Sequence, residues 1–228
     1  MTHIAILPFI IPLIGTSVAV LLHKIWRLQA GWALGALFTS MSVTAYLLWT
    51  VFTGAPVVFQ MGAWAAPFGI TIMADKLGAV MAMMVQCVMF FGLVYALGAK
   101  DSAMRYPFFL PLYLALVTGL TGAMLTGDIF NIFVMVELMV ISAIGLTAMS
   151  DDRYGAEAAI KYLYICIIAS ICLLIGIGSL YASYGTLNMA DLATRIKADP
   201  DQPMLWIGIV FLFATFGIKA AAFPFHFW

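Results

Sequence analysis

The chain has 228 residues, of which 65% are hydrophobic and only 9% are charged, and its mean hydropathy is +1.10. Soluble domains contain about a quarter charged residues, so this composition excludes a soluble protein and predicts an integral membrane protein. Ten basic residues balance ten acidic ones without a basic stripe, which excludes nucleic acid as a partner. The cysteines lie in apolar runs without metal-ligand spacing and are interpreted as small buried hydrophobes. They are Cys87, Cys166 and Cys172.

Seven apolar segments are each long enough to cross a hydrocarbon core of about 30 Å as a helix. The predicted fold class is therefore all-α, a polytopic transmembrane bundle that forms a single membrane domain over residues 1–228. The first segment lacks the basic start of a cleavable signal peptide and the polar stretch that would follow one. The predicted spans are 4–22, 31–52, 77–99, 107–126, 129–148, 156–182 and 204–224.

Two connections between the predicted spans are longer than the others. Residues 54–74 carry alternating apolar residues on either side of Pro67, a pattern that predicts a small hairpin at the membrane surface. The connection before the last span contains five charges and predicts a short amphipathic helix at 189–196. Asp75 and Asp128 precede the third and fifth spans, where a carboxylate caps the first turn of a helix.

The basic residues set the expected orientation, because cytoplasmic loops of membrane proteins are enriched in Lys and Arg. If the first loop is cytoplasmic, six basic residues lie on that side and three on the other. The N-terminus is therefore predicted to be outside, and the seventh span runs inward. The six are Lys24, Arg27, Lys100, Arg105, Arg153 and Lys161, and the three are Lys76, Arg195 and Lys197.

Two charged residues lie deep inside predicted spans, Glu137 in 129–148 and Lys219 in 204–224. A charge at the bilayer centre costs roughly 2.5–3.5 kcal/mol, so such residues normally face a bundle interior and find a partner. At about 1.5 Å of rise per residue, they lie about 12–14 Å and about 20–22 Å below the outer surface, within reach of two long side chains. The sequence predicts an interacting pair with a functional role. The alternative is a structural ion pair between helices.

The end of the last span carries a second signal. Pro224 has no N–H and its ring collides with the Ala220 carbonyl, so the helix is predicted to be broken there. The freed carbonyl would lie beside Lys219, as in the broken helices that line ion pathways. His226 follows, and it either exchanges protons near neutral pH or is an ordinary interfacial histidine.

Weaker candidates lie on the sixth span. Lys161 follows Glu157 at helical pair spacing. It is either a cytoplasmic lysine that extends to the headgroups or a relay step between Glu137 and the cytoplasm. Ser170 could hold water in a pathway but equally suits helix packing. The sequence contains no nucleophile–base arrangement, nucleotide-binding loop or dinucleotide fingerprint, so it predicts neither a cofactor nor a metal.

Four segments of the chain resemble the proton-translocating antiporter-like family of membrane subunits. This family includes large subunits of Mrp-type multi-subunit Na⁺/H⁺ antiporters, respiratory complex I and membrane-bound hydrogenases. The third segment resembles the corresponding loop in the D-type branch of the Mrp subunits, and the resemblance covers nearly the whole chain. The segments are TGDIFNIFV followed by ELM within 126–139, AIKYL at 159–163, YGTLNMADL at 184–192, and GIKA through FPFHFW within 217–228.

By that resemblance, Glu137 and Lys219 match the family's interacting Glu/Lys pair, and Lys161 and His226 are further relay positions. In the family, a change in the Glu–Lys interaction alters how tightly the lysine holds its proton, which then passes along a polar axis in the membrane. Members of the family have about fourteen spans in two inverted repeats. The chain would correspond to the N-terminal half, and alone it is not expected to complete a transmembrane path.

The resemblance implies an ion-translocating subunit of a multi-subunit monovalent cation (Na⁺)/proton antiporter, which would work with other membrane subunits in the cell membrane. The alternative is a non-redox, proton-pumping subunit in the membrane arm of a complex I-like NADH:quinone oxidoreductase or a membrane-bound hydrogenase. A third hypothesis is a structural remnant with vestigial ionisable residues. The presence of Glu137, Lys219 and Pro224 in the expected setting speaks against this third hypothesis.

Overall fold

The computed structural model describes residues 2–64, 66–99, 104, 106–149 and 153–226. Lys100 and Arg105, which enter the orientation argument, lie outside these ranges. The helices are α1 (Leu7–Leu21), α2 (Trp26–Thr53), α3 (Lys76–Ala99), α4 (Phe109–Leu125), α5 (Ile129–Ala148), α6 (Arg153–Tyr184), α7 (Met189–Ala198) and α8 (Pro203–Lys219). The strands are β1 (Val57–Gln60) and β2 (Thr71–Ala74), and short 3₁₀ turns lie at Thr2–Ala5 and Met61–Ala63.

An apolar helix stands at each predicted span, which confirms the all-α membrane bundle. Helices α2, α3, α5 and α6, with 28, 24, 20 and 32 residues, are each long and apolar enough to cross a membrane. Helices α1, α4 and α8 are shorter, with 15, 17 and 17 residues, and 17 residues rise only about 25 Å. The count of seven spans therefore stays a prediction, as does the single membrane domain over residues 1–228.

The two structures predicted for the longer connections are present. Strands β1 and β2 pair antiparallel, with Phe59 opposite Ile72, so residues 54–74 form the expected hairpin. Helix α7 corresponds to the predicted amphipathic helix. It starts after Asn188, whose side chain accepts hydrogen bonds from two backbone N–H groups in the first turn. Both features follow from local patterning and turn chemistry, which is why they are visible in the sequence.

Hydrogen bonds join the hairpin, the α4–α5 turn and the α6–α7 loop. The Gly127 N–H donates to the Thr71 carbonyl at 2.8 Å, and the Met189 N–H donates to the Gly127 carbonyl at 3.0 Å. The Asn188 side-chain amide donates to the Thr71 hydroxyl at 2.9 Å. Three connections that are distant in the sequence therefore form one hydrogen-bonded layer at the start of α5.

The two predicted helix caps are confirmed. Asp128 accepts a hydrogen bond from the Asn131 N–H at 2.8 Å, and Asp75 accepts one from the Gly78 N–H at 2.6 Å. Burial raises the pKa of Asp128, while hydrogen bonds from backbone N–H groups in the first turn of α5 act in the opposite direction. The cap fixes where α5 begins, two to three turns before Glu137.

A backbone carbonyl of α1 and the side chain of Gln86 connect four helices by hydrogen bonds. Pro12 lies inside α1 and has no N–H, so the Pro8 carbonyl loses its usual partner within the helix. The Ser40 hydroxyl of α2 donates to this carbonyl at 2.6 Å and the Gln86 amide of α3 donates at 3.2 Å. The same amide donates to the Thr121 hydroxyl of α4 at 3.0 Å. All three side chains are fully buried, so these contacts satisfy a polar group that would be costly to leave unpaired in lipid.

Helix α6 lies between α5 and α8 and packs against both. Small residues bring α6 close to α8, since a Cβ on Gly176 would lie 3.2 Å from the Gly208 carbonyl oxygen. Two turns further on, the Thr215 hydroxyl of α8 donates to the Ala169 carbonyl of α6 at 3.1 Å. These two contacts set an antiparallel register between the helices.

The turn of α5 that carries Glu137 is held against α4 at Gly119. A Cβ on Gly119 would lie 2.7 Å from both the Met135 carbonyl oxygen and the Met139 backbone nitrogen. Because both atoms belong to the backbone, no side-chain rotation would relieve the clash. The absence of a side chain at Gly119 therefore lets α4 support the part of α5 that carries the charge.

We expect Gly119→Ala to lower the free energy of unfolding by about 1–3 kcal/mol, the usual cost of overpacking. Thermal unfolding of the purified protein in detergent micelles would show this as a lower midpoint. Gly178→Ala on α6 is the matched control, because no atom of the described residues, apart from its own stretch of helix backbone, lies within 4 Å of its Cβ position. That alanine should leave the midpoint unchanged or raise it, since alanine favours a helix over glycine. Equal midpoints for the two variants would contradict the tight α4–α5 contact.

Candidate functional site

Glu137 lies in the middle of α5 and its side chain contacts α6. The Ser170 hydroxyl of α6 donates a hydrogen bond to Oε1 of Glu137. The glutamate is only partly buried in this chain. Hydrogen bonds from a hydroxyl to a carboxylate are short and strong, so this contact sets the orientation of the Glu137 carboxylate.

Lys219 is the last residue of α8. Its Nζ atom is buried and has no hydrogen-bond partner within the described part of the chain. A positive charge at a helix C-terminus is favoured by the helix dipole, which offsets part of the cost of burying the ammonium group. The remaining cost is what a nearby carboxylate would reduce.

Helix α8 ends earlier than the sequence predicts, at Lys219 rather than at Pro224. The Ala222 N–H donates to the Gly217 carbonyl at 2.9 Å, and Ala221 has a φ of 53°. This is the backbone geometry of a Schellman motif, with alanine where glycine is usual. The chain therefore leaves the helix through a left-handed residue, one turn before the proline that was expected to break it.

Three polar side chains lie on one face of α6, the helix that packs between those carrying the two charges. Tyr162, Cys166 and Ser170 follow one another at four-residue spacing, so they stack along one side of the helix. Tyr162 and Cys166 share a hydrogen bond. Cys166 is 4% exposed and acts electrostatically with both Glu137 and Lys219. We call Tyr162, Cys166 and Ser170 the α6 polar face.

Glu137 and Lys219 do not form a direct salt bridge. The ion pairs within the described part of the chain involve neither residue, although Glu137 does act on Lys219 electrostatically. The predicted pair is therefore indirect in this conformation. The physical reason is that α6 lies between the two helices and its Ser170 hydroxyl binds the carboxylate.

The other two predicted relay residues lie near helix ends. Lys161 pairs with Glu157, one turn earlier on α6, and both side chains are more than half exposed. His226 follows α8, and its ring stacks on Phe223 with the ring centroids 5.7 Å apart. The helical pairing of Lys161 with Glu157 is confirmed, whereas the relay roles of Lys161 and His226 stay predictions.

Cys166 and Ser170 are the site residues whose role the sequence reasoning missed. The sequence predicts a small buried hydrophobe at Cys166 and either water binding or helix packing at Ser170. The spacing of Tyr162, Cys166 and Ser170 places three polar groups on one face of the helix, although it does not show which of them contacts Glu137.

Comparison with known proteins connects this site to a family. Residues 126–228, which include Glu137 and Lys219, match the family described as NADH:quinone oxidoreductase/Mrp antiporter, transmembrane. A protein of Alkalihalophilus pseudofirmus, named as the D-type subunit of a Na⁺/H⁺ antiporter, is 33% identical to the chain, with 100% of this chain and 46% of the relative aligned. The chain thus spans about half the length of this relative.

Two solved structures share the fold of nearly the whole chain. One is an archaeal respiratory membrane complex, the membrane-bound sulfane sulfur reductase, with a TM-score of 0.89 and 28% identity over 99% of this chain and 46% of that one. The other is the Mrp complex from a Dietzia species, with a TM-score of 0.87 and 29% identity over 99% of this chain and 42% of that one. The same bundle is therefore present in both kinds of complex.

Proposed function

Because this chain belongs to the NADH:quinone oxidoreductase/Mrp antiporter family of membrane subunits, we propose that it is an ion-translocating subunit of a multi-subunit monovalent cation/proton antiporter. The name of the relative aligned along the whole chain supports this class of transporter and supports Na⁺ as the cation. The structural observation that carries the proposal is the placement of Glu137 and Lys219 on two membrane helices that pack on the same intervening helix, α6.

In this proposal, protons move between Glu137 and Lys219 along the α6 polar face. A charge in the bilayer centre costs several times what a typical polar contact between membrane helices contributes, so a purely structural role would offset the cost poorly. Hydroxyl and thiol groups can both donate and accept hydrogen bonds. The α6 polar face therefore supplies groups of the kind that connect a carboxylate to an amine.

Lys161 and His226 are proposed as further positions of the relay, both toward the side at which α6 begins and α8 ends. With the N-terminus outside, Lys161 stands at the cytoplasmic end of α6, where an exposed lysine exchanges protons with water. His226 follows Lys219 beyond the end of α8, and an imidazole can both donate and accept hydrogen bonds. We further propose that residues 1–228 act as one membrane domain, with other membrane subunits as partners in the lipid bilayer of the cell membrane.

A second candidate function is proton pumping in the membrane arm of a respiratory complex. The observation behind this alternative is the fold shared with a chain of the archaeal respiratory complex, at a TM-score of 0.89. The same Glu137/Lys219 site would then be driven by electron transfer in other subunits. The chain would be a non-redox subunit in that case.

Everted membrane vesicles that contain the intact complex distinguish the two functions. For an antiporter, we expect added Na⁺ to discharge a preformed proton gradient, measured with a fluorescent pH probe, and vesicles without the complex should not respond. For a respiratory pump, proton uptake should instead require the electron donor of the complex and should not depend on added cations. Failure of the intact complex to respond to Na⁺, K⁺ or Li⁺ would contradict the antiporter proposal.

A further inference from the structure

Two groups on the neighbouring helices α6 and α8 could each bind the Glu137 carboxylate. Ser170 of α6 donates a hydrogen bond to it, whereas Lys219 of α8 acts on it only through space. The ammonium of Lys219 is buried without a hydrogen-bond partner among the described residues. Because a buried charge without a partner is unfavourable, a carboxylate released by Ser170 is attracted to the ammonium group of Lys219.

The packing of α6 on α8 fixes the relative position of the helix turns that carry Ser170 and Lys219. The carbonyl of Ala169, next to Ser170, accepts a hydrogen bond from the Thr215 hydroxyl at 3.1 Å. Thr215 is one turn before Lys219 on α8, and Ala169 and Thr215 are both buried. Since this hydrogen bond holds α8 to the backbone of α6, the carboxylate can pass from Ser170 to Lys219 by side-chain movement, without a shift of one helix against the other.

We propose that Ser170 is a positioning residue of the proton relay. Its hydroxyl holds the Glu137 carboxylate in an arrangement in which Lys219 is unpaired, and release of that hydrogen bond lets the carboxylate move along the α6 polar face toward Lys219. Cys166, one turn away on the same face, is a weaker donor than a hydroxyl and does not retain the carboxylate in between. This inference rests on the proposed relay through Glu137 and Lys219.

The hydroxyl of Ser170 can be tested by three substitutions in the intact complex. Ser170→Ala should lower cation-driven proton exchange in everted vesicles about tenfold, since it removes a hydrogen bond to a charged group. Ser170→Thr keeps the hydroxyl and should restore exchange to within about twofold of the wild-type rate. Ser170→Cys, which is close in size but a weak donor, should resemble the alanine variant.

Ser179→Ala is the matched control on the same helix. The Ser179 hydroxyl donates to the carbonyl of Ile175 in its own helix at 2.8 Å, so its removal should leave exchange unchanged. The amount of assembled complex is measured for each variant. If Ser170→Ala reduces assembly, the comparison of Ser170→Cys with Ser170→Thr, two variants of similar size, decides the question.

Infrared spectroscopy separates positioning from a structural role. The carboxyl band of Glu137 is assigned by its loss in Glu137→Gln, and we expect Ser170→Ala to shift that band while Ser170→Thr and Ser179→Ala leave it in place. A slow Ser170→Ala variant with an unshifted band, or one that threonine does not rescue, would overturn the proposal.

Two outcomes distinguish this inference from the proposed function. If Ser170→Ala exchanges at the wild-type rate while the separate variant Glu137→Gln is inactive, only the role of Ser170 is overturned. Wild-type exchange by Glu137→Gln overturns the relay itself, and the positioning role with it.

Discussion

Replacing Glu137 by glutamine is expected to reduce cation-driven proton exchange by the intact complex at least about 100-fold, the scale of a lost general acid–base group. Glutamine preserves the size of the side chain and can still accept the hydrogen bond from Ser170, so α5 and α6 should pack as before. It cannot carry the negative charge or exchange a proton. The rate is measured with a fluorescent pH probe in everted vesicles and normalised to the amount of assembled complex.

Two further variants make the Glu137→Gln result specific. Asp199→Asn removes an exposed carboxylate from the segment before α8 and should exchange at the wild-type rate. Glu137→Asp keeps the charge on a shorter side chain and should retain part of the activity. Wild-type exchange by Glu137→Gln would remove this residue from the relay. Loss of the assembled complex in Glu137→Gln, with normal assembly of Asp199→Asn, would indicate a structural role instead.

The membrane helices could be predicted because lipid leaves an apolar segment few alternatives to a helix. Helix α5 is the most accurate of these predictions, since it begins at Ile129 and ends at Ala148, the boundaries that the sequence predicts. Its start is also marked chemically, by the Asp128 cap. Hydropathy was less informative at the end of α8, predicted at 224 and observed at Lys219, because a segment that is apolar beyond the helix end does not reveal where the helix stops.

The end of α8 could not be predicted for a specific reason. Pro224 is a strong helix-breaking signal, whereas the left-handed conformation of Ala221 has no counterpart in the sequence. That conformation costs an alanine roughly 1–2 kcal/mol, so local preference disfavours it. Hydrogen bonds from the Ala221 and Ala222 N–H groups to the Ile218 and Gly217 carbonyls offset part of that cost, and this turn geometry is not visible in one-dimensional patterns.

The charged site residues were visible in the sequence, but their connection was not. Glu137 and Lys219 are conspicuous because a charge inside an apolar span is rare. Their geometry depends on how α6 is rotated between α5 and α8, and a helix that is apolar toward both lipid and protein gives no hydrophobic stripe to predict that rotation. The contact of Ser170 with Glu137 was therefore available only from the structure.

Lys219 should be as sensitive to substitution as Glu137, and two variants separate its charge from its proton. Lys219→Ala removes both. Lys219→Arg keeps a positive charge at the end of α8, where the helix dipole favours it, but a guanidinium does not release its proton in a protein. If Lys219 passes protons, both variants should lose cation-driven exchange by about 100-fold or more. The measurement is the vesicle assay, with Lys197→Ala as the control because Lys197 is exposed on α7.

Stability should respond to Lys219→Ala in the direction opposite to activity. The Lys219 ammonium is buried and makes no hydrogen bond within the described part of the chain, so truncation removes an uncompensated charge rather than a stabilising contact. We expect the thermal midpoint of the purified complex to stay the same or rise while exchange is lost. Wild-type exchange by Lys219→Arg would contradict proton transfer by Lys219, because a fixed charge would then suffice. A residue that lowers stability and is still required for exchange is retained for its chemistry.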